Sequence, residues 1–289
     1  MTQAPSFADI YAQLQTQMTA AERRVADYLQ ANRETAIMAS AADLAKNIGT
    51  SDATIIRTAR RMGFDKLDAL RRALANDMRR ELTLADRLNR SLDSVDNGSA
   101  GILSQIIKTQ RDALDALETQ ITTTDFDQAL ALISQKGRKI IFGIGPSGHI
   151  AGYFAQQLIR LGADAYALQN TGLNFADDLV RLHKDDVIIA LAYDRPYPEI
   201  TTLFDRATEL DLPRLLITAP TQATPDSRAD VTLRVPRGQS DSFSLHAATL
   251  TLIEALIVGY ATAHRAKVLE NLKQLNRFRK RLAGDGLGL

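Results

Sequence analysis

Apolar residues recur at helical spacing through the first eighty positions; from about residue 125 they gather instead in short runs separated by helical stretches. The two patterns predict two kinds of structure, a helical head and an alternating body. In the head, Phe7, Ile10, Tyr11 and Leu14 share one helix face. Thr19-Ala-Ala-Glu22 reads as a capping box, its hydroxyl and carboxylate satisfying N–H groups orphaned in a first helical turn. Val25, Tyr28 and Leu29 supply the apolar face that follows. A short helix pattern then covers Ala41 to Ile48, breaks at Gly49-Thr50 and restarts at Ser51. Ala45, Gly49 and Ile55 fall where a helix-turn-helix needs a small contact residue, a residue free to turn and an apolar anchor. Leu67, Leu70 and Leu74 mark another helix, and a helical connector runs to about Arg90.

The stretch from Ser91 to Gly101 is rich in Ser, Asp, Asn and Gly, which compete with regular structure, and reads as a linker. Ile102 to Ile121 is helical, with Ile102, Ile106, Leu114 and Leu117 on its apolar side. In the body, strands are expected at Lys139–Gly143, Ala163–Leu168, Asp186–Ala192, Arg214–Thr218 and Val231–Val235. Helices are expected at Asp127–Gln135, Ile150–Leu161, Glu199–Leu210, from Ser244 and from Lys267. Strands separated by helices imply a Rossmann-like, flavodoxin-like parallel sheet covered on both faces. The expected organisation is a helix-turn-helix domain over 1–80, a helical connector and linker over 81–123, an α/β domain over 124–265, and a basic C-terminal helix and tail over 266–289.

Composition narrows the classes. The 289 residues are apolar enough to build cores, and no run approaches the length of a membrane span. The absence of cysteine excludes disulfides, Cys-type zinc fingers and thiol chemistry, and with no basic-then-apolar leader pattern points to the cytoplasm. No cofactor or metal motif is expected. The net charge of +1 is uneven: residues 1–80 hold 12 Lys/Arg against 9 Asp/Glu, residues 81–264 hold 16 against 23, and residues 265–289 hold 7 against 2. A basic head on an acidic body fits an electrostatic footprint confined to one domain. The basic tail carries Val268, Leu272, Leu275 and Phe278 at helical spacing, which favours packing over nucleic-acid contact.

The head suggests how DNA would be read. Ser51 suits an N-cap, and Ile55, Ala59 and Met62 should face the core. Ser51, Asp52, Thr54, Arg57 and Thr58 would then lie toward solvent or DNA. Arg57 is the preferred reader, since a guanidinium pairs bidentately with guanine or phosphate. Arg60, Arg61 and Lys66 would meet backbone phosphates, setting register rather than sequence. The alternative is a helical hairpin with a solvated basic face.

The run Ser51-Asp-Ala-Thr54-Ile-Ile-Arg57-Thr-Ala-Arg60-Arg61-Met-Gly63-Phe64, with Thr19-Ala-Ala-Glu22-Arg-Arg-Val25-Ala and Ala42-Asp-Leu44-Ala45, resembles the N-terminal domain of the RpiR (MurR/RpiR) family of bacterial transcriptional regulators. Ile141-Phe-Gly143-Ile-Gly145-Pro-Ser147-Gly148-His149-Ile-Ala151 is similar to the first loop of SIS (sugar isomerase) domains, the ligand domain joined to that head in the family. The resemblance implies an effector site at Gly145, Pro146, Ser147, Gly148 and His149, and physical reasoning agrees. Glycines after a buried strand let backbone approach a ligand, and the N–H groups of the next helix attract an anion.

A second loop in SIS domains that bind sugar phosphates is usually rich in Ser and Thr. This chain has Tyr193-Asp194-Arg195-Pro196-Tyr197-Pro198-Glu199 there. Two prolines remove donors, and Asp194 and Glu199 disfavour an anion. Two readings stay open: Arg195 clamps an anionic metabolite with Tyr193 or Tyr197 in contact, or Arg195 pairs internally with Asp194 or Glu199. Ser242 and Ser244 precede the long apolar helix and would offer hydroxyls to the ligand or cap that helix. Leu250, Leu252, Leu256 and Ile257 would be core or a dimer seam.

The resemblance implies a regulator, commonly a repressor. It would bind a double-stranded operator as a homodimer or homotetramer, sense a small anionic metabolite such as a carbohydrate derivative, and be neither an enzyme nor membrane-bound. Symmetric dimers suit palindromic half-sites. The competing class is a SIS-fold aldose–ketose phosphate isomerase with an accessory helical domain, which needs a positioned base and a phosphate clamp.

Overall fold

The computed structural model describes residues 7–81, 83–93, 99–193, 197–220, 228–238 and 242–283. The chain forms two compact units, Met1–Ser91 and Leu92–Leu289. The first contains α1 (Phe7–Leu14), α2 (Ala20–Ala31), α3 (Arg33–Met38), α4 (Ala41–Ile48), α5 (Asp52–Arg61) and α6 (Leu67–Glu81), and α7 (Leu84–Asp93) runs across the division. Apolar positions spaced three and four apart turn inward from each helix. Phe7, Val25, Leu29, Leu44, Ile55, Leu70 and Leu74 are fully or almost fully buried in one cluster. Capping then fixes where the helices start. Thr19 and Glu22 form the expected reciprocal capping box on α2, and Ser40 with Asp43 forms another on α4. Gly49 ends α4 in the left-handed conformation, at φ 69° and ψ 46°, which lets the chain turn sharply into α5. The N–H of Phe7 donates to Asp77 Oδ2 at 2.6 Å, tying the start of α1 to α6.

The second unit opens with α8 (Ser99–Gln120) and α9 (Thr123–Ile133). It continues through β1 (Lys139–Gly143), α10 (Pro146–Arg160), β2 (Ala165–Leu168), α11 (Leu173–Val180), β3 (Val187–Leu191) and α12 (Pro198–Glu209). β4 (Arg214–Thr218), β5 (Val231–Arg234), α13 (Ala247–Ala263) and α14 (Arg265–Ala283) complete it. The five strands are parallel in the order β2-β1-β3-β4-β5, with Gly143 beside Leu191 at the carboxyl end of the central pair. β1 and β3 are buried along their whole length, as parallel strands with both faces covered must be.

Alternate residues serve two separate cores. Ile141, Ile189, Leu191, Leu215 and Ile217 pack with Phe154 of α10, Ile133 of α9 and Leu252 of α13. Ile140, Phe142, Ile188, Ala190 and Leu216 pack with Phe175 of α11 and Phe204 of α12. Phe154 and Phe204 are each fully buried, contributing about 1.5–3 kcal/mol apiece from apolar transfer. The structure thus has the helical head and flavodoxin-like parallel body that the sequence predicts.

Four local expectations change. Residues 173–180 form α11, which the periodicity left unassigned; its signal is only Phe175 and Leu179 across eight residues. α8, expected in a connector, buries Ala113 and Leu117 in the sheet unit's core. The expected linker narrows, because α7 reaches Asp93 and α8 begins at Ser99. In the basic C-terminal helix Val268 is buried, whereas Phe278 is 48% exposed. Among the described residues, no single helix is long and apolar enough to cross a membrane.

Candidate functional site

Two places are candidates for contact with other molecules, and each grows from a helix start. At the first, Ser51 accepts a hydrogen bond from the Thr54 N–H at 3.3 Å, and its hydroxyl lies 3.0 Å from that of Thr54. This closes the first turn of α5 from within. Ile55, Ala59 and Met62 are buried as expected, which leaves Asp52, Ala53, Ile56, Arg57 and Arg60 exposed along the opposite side. Arg57 and Arg60 form no ion pair with an acidic group among the described residues.

Three of the predicted DNA contacts are not on that open side. Thr58 is fully buried and its hydroxyl donates to the Thr54 carbonyl at 2.8 Å, so it is committed to the helix itself. Thr54 is also buried, with its hydroxyl at Ser51. Arg61 binds the protein: Nη1 lies 3.5 Å from Glu22 Oε2, and Nη2 donates to the Gln17 carbonyl. Glu22 is itself buried, and the Thr19 N–H that donates to it, ahead of the charges of Arg61 and Arg57, holds its carboxyl below the usual range. Arg61 therefore anchors the end of α5 to the start of α2. Lys66 is exposed, and its carbonyl accepts from the Ala69 and Leu70 N–H groups at the start of α6. Ala53 and Ile56 were missed; apolar side chains on a polar open face are the signal that marks them, because such groups can meet thymine methyls.

The second place is the carboxyl edge of the sheet, where the order β2-β1-β3 reverses direction between β1 and β3. Open parallel sheets bind ligands in the crevice at such a switch point. β1 leads into Gly145, at φ 57° and ψ −129°, and then directly into α10, which has no side-chain N-cap and carries Pro146 in its first turn. The turn admits no side chain at Gly143: a Cβ there would lie 2.4 Å from the Ser147 carbonyl oxygen. At Gly148 it would lie 2.9 Å from the Gly143 carbonyl oxygen. Ser147 and Gly148 are buried in the turn, while Pro146 and His149 are exposed. Gln169, just past β2, donates to the Gly148 carbonyl at 2.6 Å and so holds this first turn from the β2 side.

The loop after β3 is different. Tyr193 is buried; its hydroxyl hydrogen-bonds with Thr249 at 3.1 Å, and the Arg237 guanidinium lies 4.0 Å from its ring centroid. Arg195 and Asp194 lie outside the described residues. Tyr197 is 40% exposed, and Glu199 accepts from the Gly172 N–H at 3.1 Å. Ser242 and Ser244 are half-buried, but neither caps α13: the residue at its N-cap is His246. The helix starts later than the apolar pattern suggested because the chain from Phe243 to His246 is irregular.

The family described as "Helix-turn-helix domain, rpiR family" matches residues 7–81, and the SIS domain matches residues 132–259. The chain is a transcriptional regulator of the RpiR family with a SIS domain. Its relatives include other HTH-type transcriptional regulators. The uncharacterized HTH-type transcriptional regulator YbbH of Bacillus subtilis (strain 168) is 26% identical over 248 residues, spanning 83% of this chain and 85% of that protein. The HTH-type transcriptional regulator HexR of Escherichia coli (strain K12) is 24% identical over 281 residues, spanning 92% and 93%. The solved structure of the Vibrio vulnificus NanR protein complexed with ManNAc-6P superposes with a TM-score of 0.59 at 20% identity, covering 96% of this chain and 99% of that one. At that identity the likeness is one of fold.

In this RpiR-family chain, α5 and the first SIS loop are thus the parts where local motif and structure coincide. The surroundings of Tyr193 are a long-range assembly. Arg237, His246 and Thr249 stand 44 to 56 residues further along the chain, so no local pattern joins them to it.

Proposed function

We propose that the protein represses transcription by holding operator DNA against the outer side of α5, and that a small anionic metabolite at the β1/β3 crevice shifts that binding. The observation that carries the reading is the separation of roles on α5: every contact that holds the helix lies on one side, and Arg57 and Arg60 stand exposed on the other. Exposed guanidiniums next to Asp52, Ala53 and Ile56 offer both phosphate contacts and base-edge contacts. Ser51 and Lys66 flank this surface, adding a hydroxyl and a charge near the backbone.

For the effector, the uncapped start of α10, with Gly145, Ser147 and Gly148, suits a phosphate or carboxylate. That the NanR structure is complexed with ManNAc-6P supports a sugar phosphate or related carbohydrate derivative for this chain. The protein would act as a homo-oligomer, since two reading helices are needed for a palindromic site. The effector works by binding one of the DNA-competent and DNA-incompetent states more tightly than the other.

The test is to select an operator from random duplex DNA with the full chain, then measure its retardation against a panel of phosphosugars and sugar acids. One or more should change retardation without being turned over. A protein that isomerises a panel member and selects no DNA sequence would overturn the regulator reading in favour of an enzyme.

A further inference from the structure

The loop after β3 lacks the hydroxyls expected of a phosphate cradle, yet the same rim of the sheet carries cationic chemistry that the motifs did not name. Pairing between β4 and β5 extends one residue beyond β5, where the Val235 N–H donates to the Thr218 carbonyl at 2.7 Å. Two residues later stands Arg237, its guanidinium over the Tyr193 ring at 4.0 Å. Thr249 of α13 fixes that ring through the hydroxyl, and the Leu245 N–H donates to the Arg237 carbonyl at 3.1 Å. The guanidinium is thus positioned by the ends of β3 and β5 and by the approach to α13.

Arg237 Nη2 lies 3.5 Å from His246 Nε2. A guanidinium only donates, so Nε2 is the acceptor and the ring proton resides on Nδ1. Burial, and next the charge of Arg237, hold the imidazole below its ordinary pKa, which agrees with a neutral ring. Nδ1 is buried and has no hydrogen-bond partner among the described residues. A buried N–H donor without an acceptor is costly and calls for one.

We infer that Arg237 and His246 Nδ1–H together receive an oxyanion of the effector, a carboxylate or a phosphate, with Tyr193 as the fixed platform under the guanidinium. This rests on the effector reading proposed above and deepens it, naming the residues that supply charge where the loop after β3 lacks hydroxyls. A guanidinium offers the planar fork that carboxylate and phosphate match, and the imidazole adds a directed donor that a neutral sugar would not need.

The test uses the full chain with 15N-labelled histidine and backbone amides, titrated with inorganic phosphate and, separately, with acetate. The chain has four histidines, so His246→Gln assigns the ring signals. Phosphate, acetate or both should move the His246 ring nitrogens, and whichever anion does so alone identifies the source of the oxyanion. Arg237→Met should weaken that anion about ten-fold, as expected for losing a charge-assisted contact, and Arg237→Lys should recover part of it. Operator retardation without added anion should be unchanged in both variants. If an anion moves the amides of Ser147 to His149 but leaves the His246 ring unmoved, or binds Arg237→Met as tightly as the wild type, the inference is overturned and the effector reading stands. Silence at both places overturns both.

Discussion

The starts of α5 and α10 solve the same problem in opposite ways. Both helices leave orphaned N–H groups at their first turn, and both stand at a surface proposed to bind. Ser51 closes α5 from within, so that helix presents side chains: Asp52, Ala53, Ile56, Arg57 and Arg60. No side chain closes α10, and glycines keep side chains out of its approach, so that helix presents backbone. A surface made of side chains can be altered one residue at a time and remain folded. A surface made of backbone stands or falls with the turn that shapes it.

The contrast can be broken most sharply at Gly143→Ala. The added Cβ would meet the Ser147 carbonyl oxygen at 2.4 Å, and backbone cannot swing aside as a side chain tip can. The expected cost is roughly 3 kcal/mol in the sheet unit, read by denaturant unfolding. Near-wild-type stability there would mean that the turn is not set by this close approach. Next comes Arg57→Ala, expected to weaken the selected operator by about 1–3 kcal/mol with an unchanged melting temperature. Its counterpart Arg61→Ala should do the reverse, lowering the melting temperature through Glu22 and Gln17 more than it lowers affinity. Equal effects of the two on DNA retardation would contradict the division of α5 into an inner and an outer side. Ser51→Ala should cost the first unit about 1 kcal/mol by opening the cap. An effect of similar size is expected at Ile56→Ala, about 1 kcal/mol of preference for thymine over uracil at one operator position, measured on uracil-substituted duplexes.

Much of the chain was legible where the signal is local. The Thr19–Glu22 box, the Ser51 cap, the break at Gly49 and the apolar runs of β1, β3 and β4 each fit within a few residues. The errors arose where burial depends on a distant partner. Thr54 and Thr58 flank the Ile55–Ala59 stripe on one side, and only the packing of α2 and α4 on α5 decides which flank is covered. α8 was read as connector because its apolar side does not reveal that α13 lies against it. At the candidate effector site the glycine turn was readable, whereas the Arg237–His246 pair beside Tyr193 comes from residues far from it in sequence.

Arg61 has a further consequence when considered over evolutionary time. With Thr54 and Thr58, it places what holds α5 on positions that the proposed DNA surface does not use. Descendants of such a helix can exchange residues 52, 53, 56, 57 and 60 at little cost to folding. A duplicated gene could in this way acquire a new operator while inheriting the old scaffold whole.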